Sequence, residues 1–201
     1  MSGNWTGPFI IGVTGNIACG KSTVMAELGS LGAWLVDADA VYHTLIEPGE
    51  PLYDVIVGQF GHEILAAAGT IDRRLLGDLV FRDRDLLTEL ERITHPLIRL
   101  TILETIATSP SNVVAIDAVK LIEGGLAALC NSVWLVVCDP QQQIERLTQR
   151  NRISAEEAEM RIAAQPDTDS RRDQVDVVID NNGSINSTIS QVRTSWAMLG
   201  L

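Results

Sequence analysis

Five short hydrophobic runs are spaced along the chain and predict the strands of one sheet. They lie at residues 9–13, 33–36, 112–116, 132–138 and 175–179. Most of them are continuously apolar rather than alternating, which is typical of parallel strands that are covered on both faces. Helical patterns separate the runs, so the sequence predicts an α/β fold in which helices connect the strands of a parallel sheet.

The first run leads into a glycine-rich turn that is followed by helix-forming residues. Gly15, four further residues, Gly20, Lys21 and Ser22 form a G-x-x-x-x-G-K-S motif between a strand and a helix, which is the setting expected for a phosphate-binding loop. Backbone N–H groups and the helix N-terminus can surround phosphates, Lys21 can reach the β- and γ-phosphates, and Ser22 can ligate Mg²⁺. The residues predicted to bind the nucleotide here are Gly15, Asn16, Ile17, Ala18, Cys19, Gly20, Lys21, Ser22 and Thr23. The motif predicts a nucleoside triphosphate, and it leaves the phosphate acceptor open.

A long segment at 40–110 separates the second and third predicted strands, and it is longer than a simple crossover connection. It carries helical patterns at 40–46, 52–60, 73–81 and 86–107. Pro96 is expected to kink or break the last helix just after His95. We interpret the segment as a helical insertion that covers the acceptor side of the cleft, and a purely structural cap is the alternative. The rest of a single predicted domain is a core at 9–39, 111–139 and 174–201, with a lid at 140–173.

The charge balance limits the partners and directs attention to the cations. The formal net charge is −11, which argues against nucleic acid as the main partner because nucleic-acid-binding proteins usually present a basic face. Four arginines are concentrated on two short helical stretches of the predicted lid and the turn between them, namely Arg146, Arg150, Arg152 and Arg161. We interpret this segment as a lid that closes over phosphates. The alternative is a pair of solvated helix faces whose arginines pair with nearby glutamates.

Carboxylates follow two of the predicted strands. Asp37 and Asp39 come at the carboxyl end of the second strand, and such ends carry the ligand sites of open α/β sheets. Asp39 is the candidate general base, whereas Asp37 is expected to cap or orient the loop, and a helix N-cap is the alternative for either. Asp117 ends the third strand, where a carboxylate can support Mg²⁺ through water. His95 either binds a substrate phosphate or anchors the insertion.

Several function classes are not supported by the sequence. No apolar run approaches the roughly 20 residues of a membrane span. Residues 1–8 contain no basic residue, so they do not resemble a signal peptide, and we expect a short disordered leader. Cys19, Cys130 and Cys138 have neither a disulfide framework nor metal-ligand spacing, which favours a reducing cytoplasm. We expect a monomer, and the sequence leaves an oligomer open.

Several motifs together resemble one enzyme family. They are the phosphate loop at 14–23, Asp-Ala-Asp at 37–39, Gly-Thr-Ile-Asp-Arg at 69–73 and His-Pro at 95–96. With these motifs in this order, the sequence resembles the dephospho-CoA kinases, which catalyse the last step of coenzyme A synthesis. The resemblance implies transfer of the γ-phosphate of ATP to the ribose 3′-hydroxyl of dephospho-CoA. It also implies a three-layer P-loop NTPase fold like that of nucleoside monophosphate kinases, with a five-stranded parallel sheet, an acceptor-binding insertion and a lid.

The resemblance also implies roles for particular residues. Asp39 would be the general base, Ser22 the Mg²⁺ contact, and Arg146 and Arg150 lid contacts to ATP. Lys21 and Arg146 would neutralise charge in the transferred phosphate. Further predicted contacts are Asn182 toward the nucleotide, and Arg73, His95, Lys120 and Arg161 toward the acceptor.

The phosphate loop departs from the family's usual Gly-Gly-Ile-Gly-Ser-Gly-Lys. Asn16, Ala18 and Cys19 replace two glycines and a serine, but the framing glycines remain, so phosphate binding is expected to survive. Cys19 is expected to make the site sensitive to thiol modification. Lys120 also departs from the family pattern and is an extra cation toward the acceptor's phosphates.

Two other functions stay open at the level of sequence. One is a different small-molecule kinase on the same fold, acting on a nucleoside or a sugar. The other is a P-loop switch or assembly NTPase, although the Asn-Lys-x-Asp run of a guanine-specific switch is absent from the sequence.

Overall fold

The computed structural model describes residues 7–201, which divide into two compact units. One unit contains the chain up to Val36 together with Ser109–Leu201, and the other contains Asp37–Thr108. The leader predicted at 1–8 lies, for residues 1–6, outside the described residues. Within 7–201, no helix combines the length and the apolar composition needed to cross a bilayer.

The sheet has five strands, in the order β2-β3-β1-β4-β5. They are β1 (Phe9–Thr14), β2 (Trp34–Asp37), β3 (Val113–Asp117), β4 (Ser132–Val137) and β5 (Val177–Asp180). β1 pairs in parallel with β3, where Phe9 lies opposite Val113, and with β4, where Thr14 lies opposite Leu135. β4 pairs in parallel with β5. The predicted α/β fold with a five-stranded parallel sheet is therefore confirmed.

Helices follow the strands as the sequence predicts for this class of fold. They are α1 (Lys21–Ser30), α2 (Ala38–Leu45), α3 (Pro51–Phe60), α4 (Arg73–Val80), α5 (Arg84–Ala107), α6 (Pro140–Asn151), α7 (Ala155–Ala163), α8 (Asp169–Arg172) and α9 (Ile185–Met198). Short 3₁₀ turns occupy His62–Ile64 and Leu126–Leu129.

The core of the first unit lies between the sheet and two helices. Leu28 of α1 and Val192 of α9 pack with Trp134 of β4 and Ile179 of β5, and all four side chains are completely buried. Trp134 satisfies its buried indole by donating Nε1–H to Ser132 Oγ at 3.0 Å. This packing fixes α1 on the sheet, and thereby holds the turn that joins β1 to α1.

The second unit is built from α2–α5 around its own apolar cluster. Leu52, Ile56 and Ile64 are almost fully buried in that cluster, and further apolar side chains of α5 pack against it. Aspartates cap α2, α4 and α5. At α4, for example, the Asp72 carboxylate accepts from the backbone N–H groups of Arg74 and Leu75.

Pro96 does not end α5, so the predicted break after His95 is wrong, while the alternative of a kink there stays a prediction. The helix runs without a break from Arg84 to Ala107 with Pro96 inside it. Proline removes one backbone hydrogen bond and leaves the carbonyl four residues earlier without its usual partner. Here that carbonyl belongs to Arg92, and both Arg92 and Pro96 are exposed, so water can take the missing place.

Candidate functional site

The turn between β1 and α1 needs glycine at both of its framing positions. Gly15 has φ +152° and Gly20 has φ +93°. A Cβ at Gly15 would lie 2.5 Å from the Val136 carbonyl oxygen, and one at Gly20 would lie 2.0 Å from Asn181 Nδ2. Both positions therefore exclude any side chain. The loop has the geometry that the two glycines of the motif make possible.

Ala18 occupies the left-handed region, which is uncommon for a residue with a side chain. Its φ is +61°. An L-residue in this conformation costs about 1–2 kcal/mol relative to a right-handed one. The motif that this loop resembles has glycine at this position, whereas this chain has alanine.

Lys21 lies over the loop and beside the end of β3. Its Nζ donates to the Gly15 carbonyl oxygen at 3.1 Å and lies 3.9 Å from Asp117 Oδ1. Ser22 is exposed in the first turn of α1. The fold thus brings the lysine of the motif beside the carboxylate that ends β3.

Arg146 contributes a buried donor that has no partner among the described residues. One of its terminal nitrogens, Nη2, donates to Gln142 Oε1 at 2.9 Å and to the Asn181 carbonyl oxygen at 3.0 Å. The other, Nη1, is buried and makes no hydrogen bond within residues 7–201. Buried donors are almost always paired, so this N–H group fits an acceptor supplied by a ligand, such as a phosphate oxygen.

The loop is held from the side by Asn181, which follows β5. Asn181 Nδ2 donates to the Cys19 carbonyl oxygen at 2.8 Å, and its Oδ1 accepts from Thr188 Oγ1 at 2.7 Å. The sequence predicts Asn182 as a nucleotide contact; it is exposed and accepts from the backbone N–H of Asp139, and its role stays a prediction. Strand alternation distinguishes the two asparagines, because Asn181 continues the face of buried Ile179 and Asn182 continues the face of exposed Asp180.

The segment predicted as a lid contacts the loop through amide side chains. Gln143 Nε2 donates to the Ile17 carbonyl oxygen, and the Ile17 N–H donates to Gln165 Oε1, both at 2.6 Å. Asn16 Nδ2 donates to the Pro166 carbonyl oxygen at 3.1 Å. These contacts fix the conformation of a loop that contains fewer glycines than the motif usually has.

Arg171 is a buried arginine that lies at the phosphate loop and is absent from the site residues predicted from the sequence. Its guanidinium is only 1% exposed and lies 2.8 Å from Glu123 Oε1. It also donates to Asn16 Oδ1 and to the Val119 carbonyl oxygen, each at 3.1 Å. Arg171 thus joins the phosphate loop to the segment that follows β3. In the sequence it stands in a polar stretch beside a second arginine, and no periodic pattern distinguishes the two.

Replacing Arg171 with methionine is expected to lower the free energy of unfolding by about 3 kcal/mol, because it leaves buried acceptors without donors. Urea unfolding measures this effect. Arg172→Met is the matched control, since Arg172 is about half exposed and forms an ion pair within α8, with Asp169 at 3.0 Å. We expect less than about 0.5 kcal/mol from that change. Equal losses in the two variants would contradict the role given to Arg171.

Of the other arginines that the sequence groups in the lid, Arg150 and Arg161 bond to neighbours in their own helices. Arg150 is exposed and donates to Asn151 Oδ1 at 2.9 Å. Arg161 forms an ion pair with Glu157 at 2.7 Å along α7, which is the paired helix face that the sequence left open as an alternative. Arg152 ends α6 in the left-handed conformation, with φ +55°.

The second unit holds the predicted site residues Asp39, Arg73 and His95 together with Asp37. Asp37 Oδ1 accepts from the Ala40 N–H at 3.0 Å and so caps α2, while Asp39 is exposed in the first turn of that helix. Arg73 contacts the imidazole of His43. His95 is half-buried on α5.

A small cavity of about 230 Å³ lies beside Arg73 in this second unit. It is lined by His43, Ile46, Glu47, Thr70, Ile71 and Arg73. The wall is mostly polar, and it includes the end of the Gly-Thr-Ile-Asp-Arg motif. Lys120, by contrast, belongs to the first unit, where it is exposed after β3.

This chain is similar to known proteins over nearly all of its length. A family model described as dephospho-CoA kinase matches residues 9–187, which include the phosphate loop, the second unit and Arg146 of α6. A dephospho-CoA kinase of Symbiobacterium thermophilum is 42% identical over 190 residues, which are 93% of this chain and 80% of that protein.

Solved structures show the same relationship at the level of the fold. The structure of TT1252 from Thermus thermophilus superposes with a TM-score of 0.82 at 30% identity, covering 96% of this chain and 99% of the other. A dephospho-CoA kinase from Campylobacter jejuni has a TM-score of 0.66 at 26% identity, covering 94% and 96%. With its phosphate loop built as the motif requires and its similarity extending over nearly all of its length, the chain belongs to the dephospho-CoA kinase family.

Proposed function

We propose that this protein transfers the γ-phosphate of ATP to the ribose 3′-hydroxyl of dephospho-CoA, giving coenzyme A and ADP. The observation that carries the proposal is the family match over residues 9–187, which spans both the nucleotide loop and the second unit. In this proposal the core binds ATP, the helical insertion at 40–110 binds the acceptor and the segment at 140–173 acts as the lid.

The donor side of the proposal rests on positive charge placed around the phosphate loop. Lys21 and Arg146 would neutralise the charge of the transferred phosphate, which is the main requirement of phosphoryl transfer. The unpaired Nη1 of Arg146 supports this role, since a phosphate oxygen would satisfy it. Arg150 and Asn182 are proposed as outer contacts to the nucleotide.

A magnesium ion fits this site as a companion of the nucleotide. Residues 7–201 contain no group of three or more histidine, cysteine or carboxylate side chains that could hold a metal ion by themselves. Mg²⁺ is commonly bound by one or two protein groups together with substrate phosphates, and Ser22 and Asp117 would supply the protein groups here. When bound, the ion would neutralise phosphate charge and orient the transferred group.

On the acceptor side, the proposal assigns residues to the proton of the ribose hydroxyl and to the acceptor's phosphates. Asp39 would take the proton of the ribose hydroxyl as the acceptor attacks. Its exposed position two residues beyond β2 supports this role, because a general base must be reachable by a substrate. Positive and hydrogen-bonding groups would bind the acceptor's phosphates, and the proposed ones are Arg73, His95, Lys120 and Arg161.

An acceptor panel tests the proposal. ADP release is measured with ATP, Mg²⁺ and either dephospho-CoA, a nucleoside, a nucleoside monophosphate, shikimate or gluconate. We expect ADP release to rise at least about 10²-fold with dephospho-CoA and to stay near background with the others, because only the matched acceptor completes the site. No turnover with dephospho-CoA, or a preference for another acceptor, would overturn the assignment.

We also propose that the protein acts as a monomer in the cytoplasm. Three free cysteines support a reducing compartment. Light scattering during gel filtration tests the oligomeric state, and a mass of twice 21.8 kDa would contradict the monomer.

A further inference from the structure

Two cysteine sulfurs meet at the base of the phosphate loop. Cys19 lies inside the loop and Cys138 follows β4, and the Cys138 thiol donates to Cys19 Sγ across 3.4 Å. A disulfide bond is about 2.05 Å long, so a shift of little more than 1 Å would bring the sulfurs to bonding distance. The two residues are far apart in sequence and their pairing is produced by the parallel contact of β1 with β4.

The surroundings of the two thiols give them different chemistry. The pKa of Cys19 is lowered to about 7, first because it accepts a hydrogen bond from Cys138, and further because Lys21 and Arg146 are positive. The same hydrogen bond raises the pKa of Cys138, which therefore keeps its proton. A thiolate beside a protonated thiol is the arrangement that favours oxidation of the first sulfur and resolution by the second.

The third cysteine provides an internal contrast. Burial raises the pKa of Cys130 to about 12, and the nearby Asp176 adds to this effect. Cys130 Sγ donates to the Leu126 carbonyl oxygen, at a distance of 3.5 Å. Cys130 is therefore expected to stay reduced under conditions that oxidise the other two.

We propose that Cys19 and Cys138 form a reversible disulfide on reaction with hydrogen peroxide, and that this bond closes the phosphate loop to ATP. Cys19 is only 2% exposed, so a small oxidant can reach it more readily than a bulky disulfide such as oxidised glutathione. The two cysteines are thus a modification site at the phosphate loop. The expected effect on ATP binding rests on the proposed function of that loop.

The oxidation balances in two steps. The Cys19 thiolate attacks one peroxide oxygen, so that an S–O bond forms, the O–O bond breaks and hydroxide leaves, which takes up a proton to become water. The Cys138 sulfur then attacks the Cys19 sulfenic acid, forming the S–S bond and breaking the S–O bond, and the Cys138 proton leaves with the hydroxyl group as a second water. One peroxide thus accepts two electrons from the two thiols, and a dithiol reductant restores them.

The bond would distort the loop where its geometry matters. The Cys19 N–H donates to the Asn16 carbonyl oxygen at 3.2 Å, and its own carbonyl oxygen accepts from Asn181. Pulling Cys19 toward Cys138 strains both contacts and moves N–H groups that the phosphates need. Conversely, bound nucleotide should slow the reaction, because it fills the loop and holds it in the reduced geometry.

The experiment treats the whole protein with hydrogen peroxide and maps peptides without reduction, while ATP affinity is measured separately with a fluorescent ATP analogue. We expect a cross-linked peptide pair containing Cys19 and Cys138, with Cys130 still open to alkylation after unfolding. We also expect at least about a tenfold loss of analogue affinity that a dithiol reverses, which corresponds to about 1.4 kcal/mol. Prior addition of ATP should slow cross-linking.

Cys138→Ser is the control, since Cys138 has no assigned role in binding or transfer. This variant should bind the analogue as the parent protein does and should form no cross-link. Cross-linking to Cys130, no cross-link in the parent, or an equal reversible loss of affinity in Cys138→Ser would overturn the proposal. Peptide mapping needs neither dephospho-CoA nor turnover, so its outcome is independent of whether the proposed activity is correct.

Discussion

Lys21→Ala is expected to lower kcat/KM for ATP by about 10³-fold, which is the size of effect seen when a preorganised charge is removed from a transition state. Lys21 Nζ lies over the loop, 3.1 Å from the Gly15 carbonyl oxygen. Its charge is proposed to act on the phosphates both in the bound nucleotide and during transfer. Steady-state kinetics should therefore show a raised KM for ATP together with a lowered kcat.

The control for Lys21 removes another cation from an exposed position. Arg92 lies on the surface of α5 and forms an ion pair with Glu89, at 2.6 Å. Arg92→Ala should leave kcat and KM within about twofold, since exposed ion pairs contribute little. If Lys21→Ala also stayed within twofold while its unfolding midpoint was unchanged, the loop would not be the phosphate site.

Asp39→Asn is expected to lower kcat by about 10² or more while ATP affinity stays the same, because a general base acts on the acceptor rather than on the nucleotide. The substitution keeps the size of the side chain and removes only its ability to take a proton. Rapid-quench measurement of a single turnover, with ATP affinity determined by titration, separates the two effects.

Asp54 offers a closely matched control for this change. It lies in the first turn of α3, as Asp39 lies in the first turn of α2, and both are exposed. Asp54→Asn therefore removes the same charge from the first turn of another helix in the same unit. We expect its kcat to stay within about twofold of the parent, as is usual for an exposed surface substitution. Equal losses in both variants, or near-normal turnover in Asp39→Asn, would remove Asp39 from the role of base.

Strand positions could be predicted from the sequence because buried parallel strands are continuous apolar runs. β1 and β4 were predicted within one residue of their observed ends. Helix interruption was not predictable in the same way. Proline forbids one hydrogen bond, but whether the helix ends there depends on solvent access to the freed carbonyl, and the local sequence of α5 does not reveal that access.

The candidate site shows the same division between local and tertiary information. The loop motif is local, and the framing glycines could be predicted because the motif fixes their spacing, although the contacts that exclude a side chain there come from Val136 and Asn181. Arg171 and Arg172 differ only in which one turns inward, to Glu123 and Asn16, and that difference arises from segments distant in the chain. The arginines of the predicted lid were grouped by sequence proximity, yet only Arg146 has a buried donor free for a ligand among the described residues.

The pairing of Cys19 with Cys138 was equally beyond the sequence. Neither the spacing of the cysteines nor their neighbours predicts contact, and the sequence supports only the expectation that Cys19 is sensitive to thiol reagents. The contact arises because the turn after β1 and the residue after β4 meet at the carboxyl ends of these two neighbouring strands. The partner that decides the chemistry of Cys19 is therefore visible only in the folded protein.

The position of the transferred phosphate tests the central claim most directly. Purified protein is incubated with dephospho-CoA, Mg²⁺ and ATP labelled in its γ-phosphate, and the product is isolated and examined by mass spectrometry and phosphorus NMR. We expect the label in a phosphomonoester on the ribose 3′-hydroxyl, with one ADP formed for each coenzyme A. ADP formed without a phosphorylated acceptor, or a phosphate at any other position, would contradict the proposed function.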